Sequence, residues 1–398
     1  MDFTFTEEQQ AAAEAARAVF GGVAPDGVPS PSLTPGAVAD DFDRALWARL
    51  AGSDLLSLVL DPEYGGSGLD AIALCLVLRE SAKVLARVPL LENSAAAVTV
   101  QAHGSEALRH ELLTRAGRGE VVLTVAAHGR SGHDPAELAV TARREADGTW
   151  VLDGVQTAVP WAHNADFVVV PATTTAPGPD AASAAGVPGT GDLTGAGRVV
   201  LALVPRGHEG VVLAEQISTT GERLAEVRLE SARIAGRYVV DADGAWEGLR
   251  ELLTTGTCAL ALGLGEAVLR MTGDYTGKRE QFGYPLASFQ AVAVQAADRY
   301  IDLRAMEATL WQAAWRIGSG ASGALPTAGD VAVAKIWASE GVRRVVQTAQ
   351  HLHGGFGADV DYPLHRYHAW AKHLELSLGP AAAHEEALGD LLAAHPLA

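Results

Sequence analysis

The sequence is poor in cysteine, in aromatic residues and in positive charge. Cys75 and Cys258 are the two cysteines in 398 residues, and neither lies in a C-x-x-C pair or a metal-ligand cluster. This spacing indicates buried thiols in a reducing compartment, so we expect a cytoplasmic protein. The formal net charge of -18 argues against nucleic acid and anionic membrane surfaces as partners.

The sequence also lacks a hydrophobic run of membrane-spanning length and the pattern of a secretion signal. The longest apolar stretch, 252–265, has 14 residues and lies between Glu251 and Glu266. A membrane-spanning helix needs about 20 residues, so this stretch predicts a helix buried in the core. The first residues, MDFTFT, lack the basic and apolar regions of a secretion signal, and we expect none.

Helical periodicity is present at both ends of the chain. Thr6 and Gln9 form a capping box at the start of the first helix. The apolar spacing predicts further helices before about residue 120 and after about residue 243. The predicted ranges are 6–20, 40–57, 70–86, 92–117, 245–277, 287–317, 327–353, 362–377 and 382–393. The long helices of the C-terminal part are typical of a bundle.

The middle of the chain has the pattern of short strands. Apolar runs at 121–125, 139–142, 150–152, 167–170, 199–204 and 225–229 predict a sheet. Residues 171–198 have almost no large apolar side chains, so we expect a flexible insertion there, because such a composition cannot fill a core. The predicted division is a helical domain at 1–120, a β domain at 121–240 and a helical bundle at 241–398.

The segment KREQFGYPLASFQ at 278–290 is the most informative motif. The guanidinium of Arg279 presents a planar fork of donors that suits a diphosphate. The segment resembles the R-x-x-F-G-x-P-L-x-x-F-Q signature of the acyl-CoA dehydrogenase family. In that family the arginine holds the pyrophosphate of a flavin that belongs to the neighbouring subunit. The resemblance therefore implies FAD as cofactor, an oligomer, and flavin contacts from Arg279, Phe282 and Gln290.

A second glycine-rich segment, QHLHGGFG, lies at 350–357. Glycine lets a backbone approach a ligand closely, and its amide can bind a phosphate oxygen. The segment resembles the family's Q-x-x-G-G-x-G segment, which contacts the adenosine-diphosphate half of a neighbour's flavin. This resemblance implies contacts from His351, Gly354 and Gly355. The histidines here have no acidic partner at ligand spacing, so we expect no metal site.

The resemblance covers essentially the whole chain, including PEYGGSGL at 62–69. It implies a mainly α fold with a β middle domain: an N-terminal helical domain, a central β-barrel-like domain and a C-terminal four-helix bundle. The glycines of 62–69 follow no strand and precede no P-loop lysine. We therefore interpret that segment as a turn between helices and not as a phosphate cradle.

The family's catalytic base is absent from its two usual positions. Family members remove the α-proton of an acyl-CoA with a glutamate. One position, counted from Tyr362, falls on Leu378, and the other, counted back from the first motif, falls on Leu253. Leucine cannot accept a proton, so we assign no catalytic residue to this chain. Glu251 and Glu247 lie nearby, but they more simply complement the dipole at the start of a helix.

The residues that bind the flavin ring in the family are also altered. In the family a T-E-P-x-x-G-S-D segment and a later W-x-T segment line the ring. Here Ala127 replaces the threonine and His133 the serine of the first segment, and Ala158 and Pro160 replace the outer residues of the second. Trp161 could substitute for the lost aromatic residue. The sequence thus predicts that the binding site for this chain's own flavin ring is impaired.

The retained and the lost residues together predict a half-site subunit. The segments HLHGGFG and YPLHRY, within 351–367, resemble those of the paired subunits of bacterial sterol side-chain degradation, which form α2β2 assemblies. The resemblance implies a homologous partner subunit that supplies the glutamate, a steroid-CoA thioester substrate and an electron-transfer flavoprotein as acceptor. Two alternatives stay open. One is an active homotetramer with Glu251 or Glu247 as a displaced base, and the other is a flavin-free acyl-CoA-binding or assembly protein.

Overall fold

The computed structural model describes residues 4–131, 137–175 and 197–396. Helices occupy both ends of the chain and a sheet occupies the middle, which confirms the mainly α fold with a central β domain. The helices are α1 (Glu7–Phe20), α2 (Arg44–Gly52), α3 (Ala71–Ala82), α4 (Leu90–His103), α5 (Glu106–Gly117), α6 (Ala245–Lys278), α7 (Gln290–Ser319), α8 (Thr327–His353), α9 (Leu364–Leu376) and α10 (Ala381–Ala394).

The N-terminal helices follow their capping residues. The predicted capping box is confirmed, since the Gln9 amide donates to Thr6 Oγ1 at 3.2 Å and the Gln9 side chain bonds the Thr6 amide. The single helical stretch predicted at 92–117 is wrong, because α4 ends at His103 and α5 starts anew behind Ser105. The Ser105 hydroxyl caps α5 by accepting from the Leu108 amide, and such a cap starts a separate helix.

The PEYGGSGL segment is a turn, as predicted. A short 3₁₀ helix at Pro62–Tyr64 ends at Gly65, whose φ is 81°. A Cβ at Gly66 would lie 2.0 Å from the Leu60 carbonyl oxygen. Close backbone packing therefore explains this glycine without any ligand.

The strands of the middle region form one eight-stranded sheet. They are β1 (Leu123–Val125), β2 (Val140–Arg144), β3 (Trp150–Pro160), β4 (Phe167–Thr174), β5 (Val199–Pro205), β6 (Val211–Ile217), β7 (Arg223–Ile234) and β8 (Val239–Val240). The order is β6-β7-β3-β2-β4-β5-β8, with β1 paired in parallel to β4. Strands β6 and β8 were not predicted from the sequence. The residues of β6 are half-buried or exposed and none is fully buried, so the strand lacks a strong apolar signal.

The flexible insertion predicted at 171–198 is wrong at its start. Residues 171–174 belong to β4, and Thr173 pairs with Val199 of β5. Backbone pairing with a buried strand fixes these residues although their side chains are small. The segment 176–196 lies outside the described residues.

A core of apolar side chains joins the helices to one face of the sheet, and a second cluster lies within the sheet region. Helix α6 runs through the larger core. By length and composition it could cross a membrane, but 83% of its most apolar window is buried inside the fold. This burial is that of a core helix, as predicted for 252–265. A short hairpin of β9 (Glu280–Gln281) and β10 (Tyr284–Pro285) follows α6.

Candidate functional site

The first motif forms a hairpin that projects from the end of α6. The Arg279 amide donates to the Tyr275 carbonyl at 2.8 Å, and the Leu286 amide donates to the Arg279 carbonyl at 2.8 Å. Phe282 and Gly283 turn the hairpin with φ values of 55° and 80°. Glycine adopts such values freely, whereas phenylalanine rarely does. The turn leaves the Phe282 side chain 90% exposed.

The second motif forms a 3₁₀ turn, Gly354–Ala358, directly after α8. Gly354 has a φ of 60° and a ψ of -142°. An added Cβ at Gly354 or Gly355 would meet no atom within 4 Å, so their backbone faces open space. A ligand could therefore approach the backbone here closely, although the Gly354 amide itself already donates to the carbonyls of Gln350 and His351.

Aromatic stacking holds the two motifs at the same end of the bundle. The Tyr275 ring stacks on His353 with 4.2 Å between centroids and on Phe356 at 5.6 Å. The His353 Nε2 atom forms a 3.1 Å hydrogen bond with the Tyr362 hydroxyl. Tyr275 lies one turn before Arg279 on α6, so these contacts bring the end of α6 to the end of α8.

All of the predicted cofactor-binding residues are exposed. We call this set the motif surface, and it consists of Arg279, Phe282, Gln290, His351, Gly354 and Gly355. Within the described part of the chain, the Arg279 guanidinium has no ion-pair partner. An unpaired guanidinium is a donor suited to phosphate oxygens, and the open space beside Gly354 and Gly355 leaves room for a ligand. The binding role of these residues stays a prediction.

The altered positions meet at a different place, around a small cavity between the helices and the sheet. Leu253 of α6 and Leu378, which follows α9, both line it, as do Ala127, Ala158 and Pro160. The cavity has a volume of about 90 Å³, whereas small-molecule sites usually measure about 300–1,000 Å³. We call it the closed cavity. His133 lies outside the described residues.

Trp161 forms one wall of the closed cavity. Its side chain is 6% exposed, and its Nε1 donates to Glu92 Oε2 at 3.1 Å. The backbone here is irregular, since the pairing of β3 with β7 shifts register between Gln156 and Val159. The Ala158 amide already donates to the Gln216 side chain at 2.8 Å. The chain's own side chains therefore satisfy the Trp161 indole and the Ala158 amide.

The segment that carries Leu378 is fixed by a buried lysine. Lys335 is 1% exposed, and its Nζ donates to the carbonyls of Leu374 and Glu375 at 2.9 and 3.0 Å. These carbonyls end α9, where a cation is favourable. A ring nitrogen of His384 bonds the Leu378 carbonyl at 2.8 Å. Leu378 is therefore held against the cavity and not left on a mobile loop.

Two carboxyl groups that sequence reasoning missed also line the closed cavity. Burial raises the pKa of Glu92 to about 7, although hydrogen bonds, one of them from Trp161, oppose that rise. Burial raises the pKa of Glu222 to about 8, against the lowering effect of Arg87. Glu222 is 4% exposed, and its Oε1 has no hydrogen-bond partner among the described groups. Both acids are thus largely protonated at pH below about 7.

Histidines on the same cavity are neutral. Burial lowers the pKa of both His128 and His373 to about 4. The described residues contain no group of three or more His, Cys, Asp or Glu side chains that could hold a metal ion. The cavity wall is thus uncharged near neutral pH, apart from partial ionisation of its acids.

The two glutamates weighed as displaced bases lie elsewhere. Glu247 is exposed on the first turn of α6. Glu251 lines a second groove beside Ala383 and His384, which has Leu378 in common with the closed cavity, and burial raises the pKa of Glu251. Neither residue lines the closed cavity that contains Leu253. This placement agrees with the rotation of about 200° between positions 251 and 253 of a helix.

Comparison with known proteins decides the family. The Acyl-CoA dehydrogenase, N-terminal domain family matches residues 6–120, and the Acyl-CoA dehydrogenase, C-terminal domain family matches residues 254–392. The chain belongs to the acyl-CoA dehydrogenase family. It is 34% identical over 403 residues to the acyl-CoA dehydrogenase FadE27 of Mycobacterium tuberculosis, with 100% of both chains covered.

Solved structures of the family show the same fold. A chain of the ChsE4-ChsE5 complex from Mycobacterium tuberculosis matches with a TM-score of 0.85 and 32% identity, covering 100% of both chains. A variant of the Tcur3481-Tcur3483 steroid ACAD matches with a TM-score of 0.82 and 32% identity, covering 98% of both chains. Butyryl-CoA dehydrogenase from Megasphaera elsdenii, at 22% identity and a TM-score of 0.81 over 99% of this chain and 100% of that chain, shares the fold.

Proposed function

We propose that this family member is a half-site subunit of an FAD-dependent acyl-CoA dehydrogenase. In this proposal it assembles with a homologous partner subunit, as α2β2, in the cytoplasm. The observation that carries the proposal is the pairing of an exposed motif surface with a closed cavity. Both positions of the family's base are leucines on that cavity, and Leu253 and Leu378 are 3% and 7% exposed.

The residues present fit one end of FAD and not the other. At the motif surface, the unpaired Arg279 and the open backbone of Gly354 and Gly355 suit the diphosphate half. At the closed cavity, about 90 Å³ of space behind Trp161 is too small for a fused three-ring system. The proposal therefore assigns the diphosphate end to this chain and the ring end to the partner.

Each residue of the motif surface has a defined task in this proposal. Arg279 binds the diphosphate through its forked donors. Phe282 covers an apolar face of the ligand, because an aromatic side chain 90% exposed gains most from being covered. Gln290 and His351 contribute hydrogen bonds. A bound flavin would provide the hydride acceptor for the acyl-CoA, and the partner's glutamate takes the α-proton.

The relatives support the substrate class and the heteromeric assembly in this proposal. Tcur3481-Tcur3483 is a steroid ACAD, and ChsE4-ChsE5 is a complex. At 32% identity over nearly all of this chain, these relatives support a steroid side-chain CoA thioester as substrate and a heteromeric assembly. An electron-transfer flavoprotein is the acceptor we propose.

Co-expression with a homologous subunit tests the proposal. The chain is purified alone and with candidate homologues, and dehydrogenation of a steroid-CoA is followed with an artificial electron acceptor. We expect turnover from the mixed assembly and none from the lone chain. Turnover by the lone chain with full flavin occupancy would favour the homotetramer instead. A colourless protein in every combination would favour a flavin-free binding or assembly protein.

A further inference from the structure

A large groove extends from the motif surface, and apart from Arg279 its lining residues have no role in the proposed function. Its walls are the end of α1, the end of α3, the last third of α6 and the stretch from Phe356 to Tyr367. Its volume is about 1000 Å³, at the upper end for a ligand site. Arg279 and Phe356 line it, so the groove is continuous with the surface where the proposed function places a neighbouring subunit.

Unpaired positive charge dominates this groove. Besides Arg279, which the proposed function assigns to the flavin, Arg17, Arg270 and Lys278 line the groove. These three are exposed and have no ion-pair partner within the described ranges. Two further charged groups of the wall, Lys83 and Glu80, pair with each other at 2.6 Å. Asp274 is the remaining carboxylate. We call this site the basic groove, and it is a local excess of cations on a chain of net charge -18.

The cations are spread along the groove. Arg270 and Lys278 lie on α6 eight residues apart, which is about 12 Å along a helix axis. One guanidinium fork is enough for a compact diphosphate. A row of cations about 12 Å long instead matches an extended peptide, which rises about 3.3 Å per residue and so spans the row in about four residues.

Apolar side chains lie between the cations. Val84, Met271 and Tyr275 line the groove and are half-buried, so they offer contact area for the aliphatic side chains of a bound peptide. We propose that the basic groove binds an extended acidic segment of the neighbouring subunit. This inference rests on the proposed function for the presence of that subunit. It adds a second contact between the subunits that does not involve the flavin.

Site-specific photo-cross-linking in the purified assembly tests this inference. A p-benzoylphenylalanine replaces Val23, a half-buried groove residue in the loop after α1. After illumination and protease digestion, mass spectrometry identifies the attached peptide. We expect a peptide from another subunit that carries several Asp or Glu residues. The same probe in place of Leu33, an exposed residue outside the groove, should not capture that peptide.

Charge reversal supplies the matched control. Arg270→Glu with Lys278→Glu should lower the cross-link yield roughly tenfold or more, because like charges then face each other. Arg115→Glu with Arg118→Glu reverses two exposed cations at the end of α5 and should leave the yield unchanged. Cross-links confined to this chain, to a segment without acidic residues or to a bound nucleotide would each overturn the inference.

Flavin content separates this inference from the proposed function. The cross-linked assembly is also assayed for flavin absorbance and for its subunit composition. A flavin-containing mixed assembly whose Val23 probe misses every acidic segment overturns the groove inference alone. A preparation without flavin or without a homologous partner contradicts the proposed function itself.

Discussion

Phe282 and Trp161 show how differently the two regions of the family's flavin site are built in this chain. Phe282 leaves 90% of its side chain exposed at the tip of a hairpin, whereas Trp161 leaves 6% exposed in the wall of the closed cavity. The polar groups differ in the same way. Arg279 has no partner within the described residues, but Glu92 already accepts the Trp161 indole N–H.

The difference shows which region needs another molecule to be complete. A ring as exposed as that of Phe282 loses the stabilisation that burial of apolar area provides, about 25 cal/mol per Å². The closed cavity has that stabilisation within the single chain. The motif surface is exposed and suits a ligand whose other end lies in a neighbouring subunit. The closed cavity leaves little space for a ligand of this chain's own. This is the arrangement expected of a half-site subunit.

Truncating Trp161 in the wall of the closed cavity should have the largest effect on stability. Trp161→Ala removes a buried indole and leaves Glu92 without its donor, and large-to-small core changes of this kind cost about 3–5 kcal/mol. We expect that loss in the free energy of unfolding, measured by urea denaturation. Phe282→Ala is the matched control and should change stability by less than about 0.5 kcal/mol. Equal losses for both variants would break the comparison.

The second prediction concerns the pH dependence of stability. Glu222 has a pKa of about 8 in the fold and 4.5 as its ordinary value. Between these values the native state binds more protons than the unfolded state, so stability falls as pH rises through this window. Glu222→Gln should remove a slope of about 1.4 kcal/mol per pH unit between pH 5 and 8.

Urea unfolding at several pH values measures this slope. Glu230→Gln changes an exposed glutamate on β7 and should leave the slope as it is. Glu92, with a pKa of about 7, contributes a slope of the same sign that remains in this variant. A slope in Glu222→Gln as steep as that of the wild type would show that Glu222 is ionised within the fold.

Removing the guanidinium group of Arg279 should weaken flavin binding without changing the fold. Hydrogen bonds to charged groups contribute about 1.5–3 kcal/mol, so Arg279→Gln should lower the flavin affinity of the assembly roughly ten- to hundredfold. Flavin released on dilution and measured by fluorescence checks this. Arg115→Gln, on α5, is the control. Unchanged affinity in Arg279→Gln would remove the motif surface from the flavin site.

The smallest effect is expected for Glu251. Glu251 lines a groove other than the closed cavity, so Glu251→Gln should leave the turnover of the assembly within about twofold of the wild type. Loss of turnover with normal flavin content would instead support the displaced base and an active site in this chain.

The sequence predicts the long helices well and the short elements poorly. The prediction of 327–353 matches α8 (Thr327–His353) because Pro326 precedes the helix and Gly354 ends it. The break between α4 and α5 was missed although Gly104 and Ser105 stand there as end and start signals. Strand β6 was not predicted because its residues are half-buried or exposed, and such an edge strand gives no strong apolar signal.

The candidate site divides in the same manner. Leu253 and Leu378 could be located by counting from motifs, and the structure places both on one cavity. Glu92 and Glu222 could not be predicted, since they lie far apart in the chain and meet through the packing of α4 against the sheet region. Isolated glutamates carry no sequence signal of burial, and their raised pKa arises only from the fold.

The flavin count per chain tests the central claim most directly. Native mass spectrometry of the purified assembly gives its subunit composition and the number of bound flavins together. The account predicts one flavin for each pair of this chain with its homologous partner, and a lone chain without flavin. A homo-oligomer of this chain that retains one flavin per copy would contradict it.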